Sequence, residues 1–493
     1  MTTGGRRVVG EELQELRARQ TFSADDVSGP IRHRDLKHTL CQVHGDASIV
    51  LHDGLLHCFT QAPTLAHRCR SRSSRWRSPS HQLERTSAVY GKRASARSAL
   101  SPVLGGHTAG ATLNRLVGVL ALYGAMVSNS FAGHAPPAPS NRDRDVVSRV
   151  HRYLGARAQQ PAFSAAILVA SNGRVLLREA HGMADFELGV RLTPDHLFRI
   201  GSLTKPFTAT AIMWLREHDR LALSRSVCEF LRDCPSEWRT VSVEHLLSHT
   251  SGVPDLFGDL DAVPVTATRA EVDRVLKKAG APPLESAPGS RYSYSNFNYV
   301  LLGYIIEVVS GESWEAFLLS KVVLPAEAPD TRYDDVWSVV PRRVHGYEIK
   351  EGQLRVTRYT DHAAFAAGGL RSAVDDLRRW HDAYWRGRII SNESVAEALQ
   401  PRLGHYGLGW QVTDHFGRPL HNHTGGVRGF ASHLAFYPND QLLIVVLSNV
   451  EDENTKGTAC DIAALVFNVA PAPTGTPSGL QRSNDERCSV RAQ

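Results

Sequence analysis

The sequence predicts an α+β fold, on three observations. Two apolar runs, 163–170 and 174–180, flank Asn172-Gly173, a strong hairpin-turn signal. A long middle stretch, about 206–320, carries apolar residues at helical spacing. Two more strand-like runs, 431–437 and 442–448, flank Pro438-Asn439-Asp440 and lead into a closing helix over 456–469.

The elements follow in chain order. Residues 143–158 read as an amphipathic helix, because Val146, Val147, Val150, Tyr153 and Leu154 fall on one face. The hairpin comes next. Leu197-Phe198-Arg199-Ile200 is strand-like and stops at Gly201. A helical apolar run follows, which makes Ser202 a first-turn residue; Pro206 is tolerated because it lies so early. Beyond the helical middle, a loop-rich stretch runs to about residue 371. No internal repeat is visible.

Composition bounds the class. With 42% hydrophobic and 22% charged residues, the chain is ordinary for a globular protein. Its 493 residues suffice for a large core and more than one domain. The net charge of +6 is unevenly placed. Arg68, Arg70, Arg72, Arg75, Arg77, Lys92, Arg93 and Arg97 are interspersed with serines, and no period settles there. Such an arm suits nucleic acid or a membrane. Disorder or translated upstream sequence fits better, so no nucleic-acid partner is expected. The reason is the next segment. Asn114-Arg115 precedes an apolar run over 116–127, then small residues and the linker Gly133-His134-Ala135-Pro136-Pro137-Ala138-Pro139. That is the pattern of a secretory signal, too short for a spanning helix.

Four segments result: a doubtful or disordered leader (1–112), a signal-like segment with a Pro-rich linker (113–140), a folded domain (141–470) and a disordered tail (471–493). The protein is expected to be exported, periplasmic or extracellular. Membrane contact follows only if 116–127 is kept as an anchor. A signal this far inside the chain implies translation from a non-Met codon shortly before Leu113. N-terminal sequencing of the native protein tests this, and peptides from 1–100 would sink it.

Seven cysteines are present. Cys41, Cys58 and Cys69 lie in the leader and Cys488 in the tail. Cys228 and Cys234 are close together inside the domain; a bridge and two half-buried thiols are equally open readings. No spacing fits zinc, and His245 with His249 lacks a third ligand, so no metal is expected.

Three short motifs carry chemistry. The first is Ser202-Leu203-Thr204-Lys205. A spacing of three puts serine and lysine on one helix face, at an N-terminus that favours developing anion. A serine hydroxyl needs such an adjacent base. Alone, the motif reads equally as a capped helix with a surface lysine. The second is Tyr294-Ser295-Asn296. A phenol beside an ammonium is expected to have a depressed pKa, as suits a general base. Asn296 is able to donate to a carbonyl and accept from lysine. A packed tyrosine and a capping asparagine are the bland alternative. The third is His423-Thr424-Gly425-Gly426, just before the strand-like run. Its glycines let a substrate approach a strand edge, and the N–H groups of Gly426 and Ser202 would make an oxyanion hole. The bland alternative is a Gly-rich loop, with His423 one of 23 histidines.

In this order the motifs resemble the serine β-lactamase-like family, which includes class C β-lactamases, D-alanyl-D-alanine carboxypeptidases and related esterases. The resemblance covers roughly 142–469. Leu246-Leu247-Ser248-His249-Thr250-Ser251-Gly252, Ala367-Gly368-Gly369-Leu370 and Tyr406-Gly407-Leu408-Gly409-Trp410 also look like family stretches. It implies a β-lactamase/transpeptidase-like fold, an antiparallel sheet flanked by helices plus a helical lobe. It implies Ser202 as nucleophile, Lys205 as its partner and Tyr294 as a base that also serves deacylation. Asn296 would orient the substrate, with His423, Thr424, Gly425 and Gly426 lining its site. No cofactor is implied.

The function so implied is a serine hydrolase working through an acyl-enzyme. Its substrate would be an amide or ester: a D-Ala-terminated peptide, a small ester or a β-lactam. The alternative is a non-catalytic ligand-binding or scaffold relative, disfavoured because Ser202, Lys205, Tyr294 and Asn296 are all present. An α/β-hydrolase is disfavoured for want of a G-x-S-x-G elbow. The third box departs from the pattern, since in many lactamases it begins with lysine. A histidine is only partly charged at neutral pH. Ester hydrolysis is therefore expected to exceed β-lactam hydrolysis, with Thr424 left as one carboxylate donor. Carboxylate-bearing substrates would gain below about pH 6.5.

Overall fold

The computed structural model describes residues 48–52, 55–59, 140–160, 162–259, 268–280, 282–335, 337–357 and 365–469. The apolar run 116–127 and the tail from residue 470 lie outside the described residues. Two compact units divide the chain, Met1–Leu120 and Ala121–Gln493. In the first, β1 (Ser48–His52) and β2 (Leu55–Phe59) pair antiparallel. Both strands fall in the segment expected to be a doubtful or disordered leader, where Ile49 and Val50 supply β-branched residues.

The second unit is built on a six-stranded antiparallel sheet. Its strands are β3 (Ala165–Ser171), β4 (Arg174–His181), β5 (Gln411–His415), β6 (Arg418–Val427), β7 (Phe430–Tyr437) and β8 (Leu442–Ser448). They lie in the order β5-β6-β7-β8-β3-β4, which joins the two ends of the domain at the centre. The β3–β4 turn is as expected: Asn172 and Gly173 both adopt positive φ, 52° and 75°. Every residue of β8 is buried, which explains its unbroken apolar run, Leu-Leu-Ile-Val-Val-Leu-Ser.

Helices cover both faces. α1 (Asn141–Arg157) buries Val146, Val150 and Leu154. α5 (Thr455–Phe467) joins it over one face, packing Ile462 and Ala463 with Ile167, Ile444 and Val446. The other face carries α2 (Thr204–Glu217), α3 (Asn296–Ser310) and α4 (Val374–Trp385) in a larger core. There Phe207 stacks on Trp380 with ring centroids 3.8 Å apart. This is a β-lactamase/transpeptidase-like architecture with a helical lobe. Cys228 and Cys234 are bridged, which closes the reading that the sequence left open.

One assignment shifts. The third motif does precede the strand Phe430–Tyr437 as expected, but it is itself part of a strand, β6, rather than a loop. Adjacent glycines and Pro419 mask the strand in sequence, because both residue types are poor strand formers.

Candidate active site

Ser202 sits in a 3₁₀ turn, Gly201–Leu203, that feeds directly into α2. Two sides hold this turn. Ile200 N donates to Leu370 O at 2.9 Å, and Ser432 Oγ of β7 donates to Ile200 O at 2.8 Å. The backbone of β6 comes very close: a Cβ at Gly201 would fall 2.8 Å from Gly426 N, and one at Gly425 only 2.0 Å from Ile200 O. Both positions therefore require glycine.

Lys205 is fully buried one turn on. Its ammonium has three N–H donors, and three acceptors surround it. They are Ser202 Oγ at 3.0 Å, Asn296 Oδ1 at 2.8 Å and Ala367 O at 2.8 Å. Burial pushes its pKa down from 10.5 to about 7, against a weaker pull from Asp255. A neutral Lys205 still satisfies the same cage: two N–H groups serve Asn296 and Ala367, and the lone pair faces the Ser202 hydroxyl. The bland reading of a surface lysine fails.

Tyr294 and Asn296 reach the same point. Lys205 Nζ lies 4.8 Å from the Tyr294 ring centroid, and Ser202 is near enough to the Tyr294 hydroxyl to pull its pKa down. The expected depression of the phenol pKa is reversed. Although the residue as a whole is 38% exposed, desolvation raises the phenol pKa above 10 and outweighs the pull of Ser202. Lys205 sits over the ring face and is itself depressed toward neutrality, so it supplies little charge to the phenol oxygen. Asn296 opens α3. Its N–H and that of Phe297 donate to the carboxylate of Asp255, at 3.2 and 3.0 Å.

His423 is not a half-charged surface contact. It is 1% exposed, and burial followed by Lys205 pushes its pKa from 6.5 to about 3. Its Nδ1–H donates to Thr424 O at 2.8 Å, and Nε2 accepts from the Tyr406 hydroxyl at 2.9 Å. Thr424 Oγ1 lies 2.9 Å from His433 Nδ1, its register partner on β7. Alternation puts both on the sheet face opposite Gly425 and Ser432. The expected carboxylate donor is thus engaged away from Ser202. Gly425 and Gly426 lie beside the nucleophile turn, as above. β5 pairs with β6 only at Arg418, Pro419, Leu420, His421 and Asn422. Among the described residues, the edge of β6 beyond Asn422 has a strand partner on one side only.

Sequence reasoning assigned no role to Ala367, Tyr406, Asp255 or His249. Three of these sat in stretches already marked as family-like, which was the available signal. His249 is buried among Tyr294, Tyr299 and Tyr406 rather than paired with His245. Elsewhere, Asp185, Glu187 and His345 bring one ligand atom each within 4.8 Å of the others. Asp185 already pairs with His345 at 3.3 Å and accepts from Leu188 N.

Known proteins resemble this chain in sequence and fold. The family model described as Beta-lactamase matches residues 150–468. Penicillin-binding protein 4* of Bacillus subtilis (strain 168) is 30% identical over 327 residues, 61% of this chain and 70% of that protein. Other curated relatives are spanned over 60% of their length. An octameric penicillin-binding protein homologue from Pyrococcus abyssi superposes with a TM-score of 0.59 at 26% identity, over 66% of this chain and 78% of that one. A D-amino acid amidase from Ochrobactrum anthropi SV3 gives 0.57 at 22%, over 66% and 98%. Fold and site define a serine-hydrolase class, and the chain belongs to the β-lactamase family.

Proposed function

We propose that this protein hydrolyses esters or amides with an uncharged leaving side, through an acyl-enzyme on Ser202. One observation carries the reading: Ser202 Oγ lies 3.0 Å from a buried lysine whose pKa is pushed down to about 7. Neutral Lys205 takes the hydroxyl proton as Oγ attacks the carbonyl carbon. The N–H groups of Ser202 and Gly426 would hold the oxyanion. Tyr294, protonated and close to Ser202, would pass a proton to the leaving oxygen or nitrogen as that bond breaks. Water then reverses the sequence and frees Ser202.

The substrate class follows from His423. A neutral imidazole and an engaged Thr424 offer no cation to a substrate carboxylate. Penicillins and D-Ala-terminated peptides carry that carboxylate, so neutral esters and amides fit better. Export is part of the same reading, because the Cys228–Cys234 bridge suits an oxidising compartment.

The test is a panel of nitrocefin, a D-Ala-D-Ala peptide and short-chain nitrophenyl esters, with a fluorophosphonate label read by mass spectrometry. The label should fall on Ser202, and the esters should be turned over fastest. Labelling or turnover that persists in Ser202→Ala would refute the assignment.

A further inference from the structure

Tyr294 stands on a short loop before α3, and one residue grips the backbone on both sides of it. Ser293 N donates to His249 O at 2.8 Å, and Ser295 N donates to His249 Nδ1 at 3.1 Å. The imidazole also packs on the Tyr294 ring, with centroids 4.3 Å apart and planes 33° apart. Tyr299 and Tyr406 hold it from other directions, at 5.1 and 4.7 Å. His249 is fully buried and adopts φ 57°, a left-handed conformation uncommon for a residue with a Cβ.

We propose that His249 is a positioning residue for Tyr294, which it holds over Ser202 and Lys205 through the two flanking amides. This rests on the acyl-transfer reading above. Nδ1 accepts, so it is the bare nitrogen and Nε2 carries the proton. The ring must stay neutral to do this. Lys205, His423 and the phenols of Tyr292, Tyr294, Tyr299 and Tyr406 surround it; burial, Lys205 and His423 all oppose a charge there. Core filling alone would explain the packing. It would not explain an acceptor placed at Ser295 N, or the left-handed turn at the residue whose carbonyl receives Ser293 N.

Two substitutions separate these roles. His249→Phe keeps a ring but no acceptor. It should lower kcat for a neutral nitrophenyl ester by roughly ten- to a hundredfold, with KM within about twofold. His249→Asn puts an oxygen near the Nδ1 position and tolerates positive φ, so it should recover most of the loss. In a Tyr294→Phe background the His249→Phe loss should disappear. Equal losses in the Phe and Asn variants, or a full further loss on top of Tyr294→Phe, would overturn the proposal. Nitrogen NMR of the labelled histidines in the wild-type protein needs no variant: a protonated Nδ1 on His249 overturns it, and a bare Nδ1 supports it. Ser202→Ala distinguishes the failures. Turnover surviving there defeats the acyl-transfer reading, whereas the NMR result judges His249 independently.

Discussion

Lys205 on α2 and His423 on β6 are both fully buried, and each is a base set beside Ser202's turn or the strand against it. Burial acts on both in the same direction and leaves them in different states. Lys205 falls from 10.5 to about 7, whereas His423 falls from 6.5 to about 3. The starting value decides the outcome. A group that begins far above neutrality arrives at it when desolvated; one that begins at neutrality is pushed out of range. The surrounding atoms agree with this split. Three acceptors around Lys205 serve its charged and neutral forms alike. One acceptor and one hydroxyl around His423 suit the neutral tautomer.

The comparison breaks most plainly at Lys205. Lys205→Ala and Tyr294→Phe should each lower kcat by about 10² to 10⁴, and the double variant should be scarcely worse than the poorer single one. Steady-state kinetics of all three would show it, and multiplicative losses would mean that the two groups do not act as a unit.

pH sharpens it next. Below about 7 Lys205 holds its proton and has no lone pair for Ser202; above, it is free. The specificity constant for a neutral ester should therefore rise roughly tenfold per pH unit below that value and level off above it. Across the same range, the ratio of carboxylate-bearing to neutral substrate should stay flat. A gain for the carboxylate substrate below pH 6.5, the value from which His423 starts, would return a charge to that residue.

His423→Lys should move the ratio itself. A cation there should favour a penicillin over a matched neutral ester by about tenfold, on the scale of a charge-assisted bond. An equal change in both substrates would make the position structural. The smallest effect belongs to Tyr406→Phe. It removes the donor to His423 Nε2 and should destabilise the fold by about 1 kcal/mol, seen as a small drop in Tm, with ester turnover little changed.

Much of the site was legible because it is written in spacing. Ser202 and Lys205 meet one turn apart, and Tyr294 and Asn296 straddle a helix start. The hairpin at Asn172-Gly173 and the closing strands were legible because a turn dipeptide and uniform apolar runs mark them. The states of the groups were not, since a pKa depends on what lies around a side chain in space. The phenol of Tyr294 was expected down and went up; His423 was expected half-charged and is neutral. The direction of Thr424 depends on register with β7, which no local pattern records. β6 itself was hidden because the glycines that let Gly201 approach it also weaken its strand signal.

The strand edge of β6 beyond Asn422 has a further consequence. An uncovered edge is a template for another chain, and proteins usually blunt one with proline, lysine or a bulge. None of these would suit an edge that receives a substrate, as proposed for this one. The close-packed turn Gly201–Leu203 sits on the sheet face beside it, with the backbones of Gly201 and Gly426 close together. The same three residues thus carry the nucleophile candidate and are pinned to β6 where its partner strand ends. Loosening them, by heat or by a side chain at position 201, should cost activity and fold stability together.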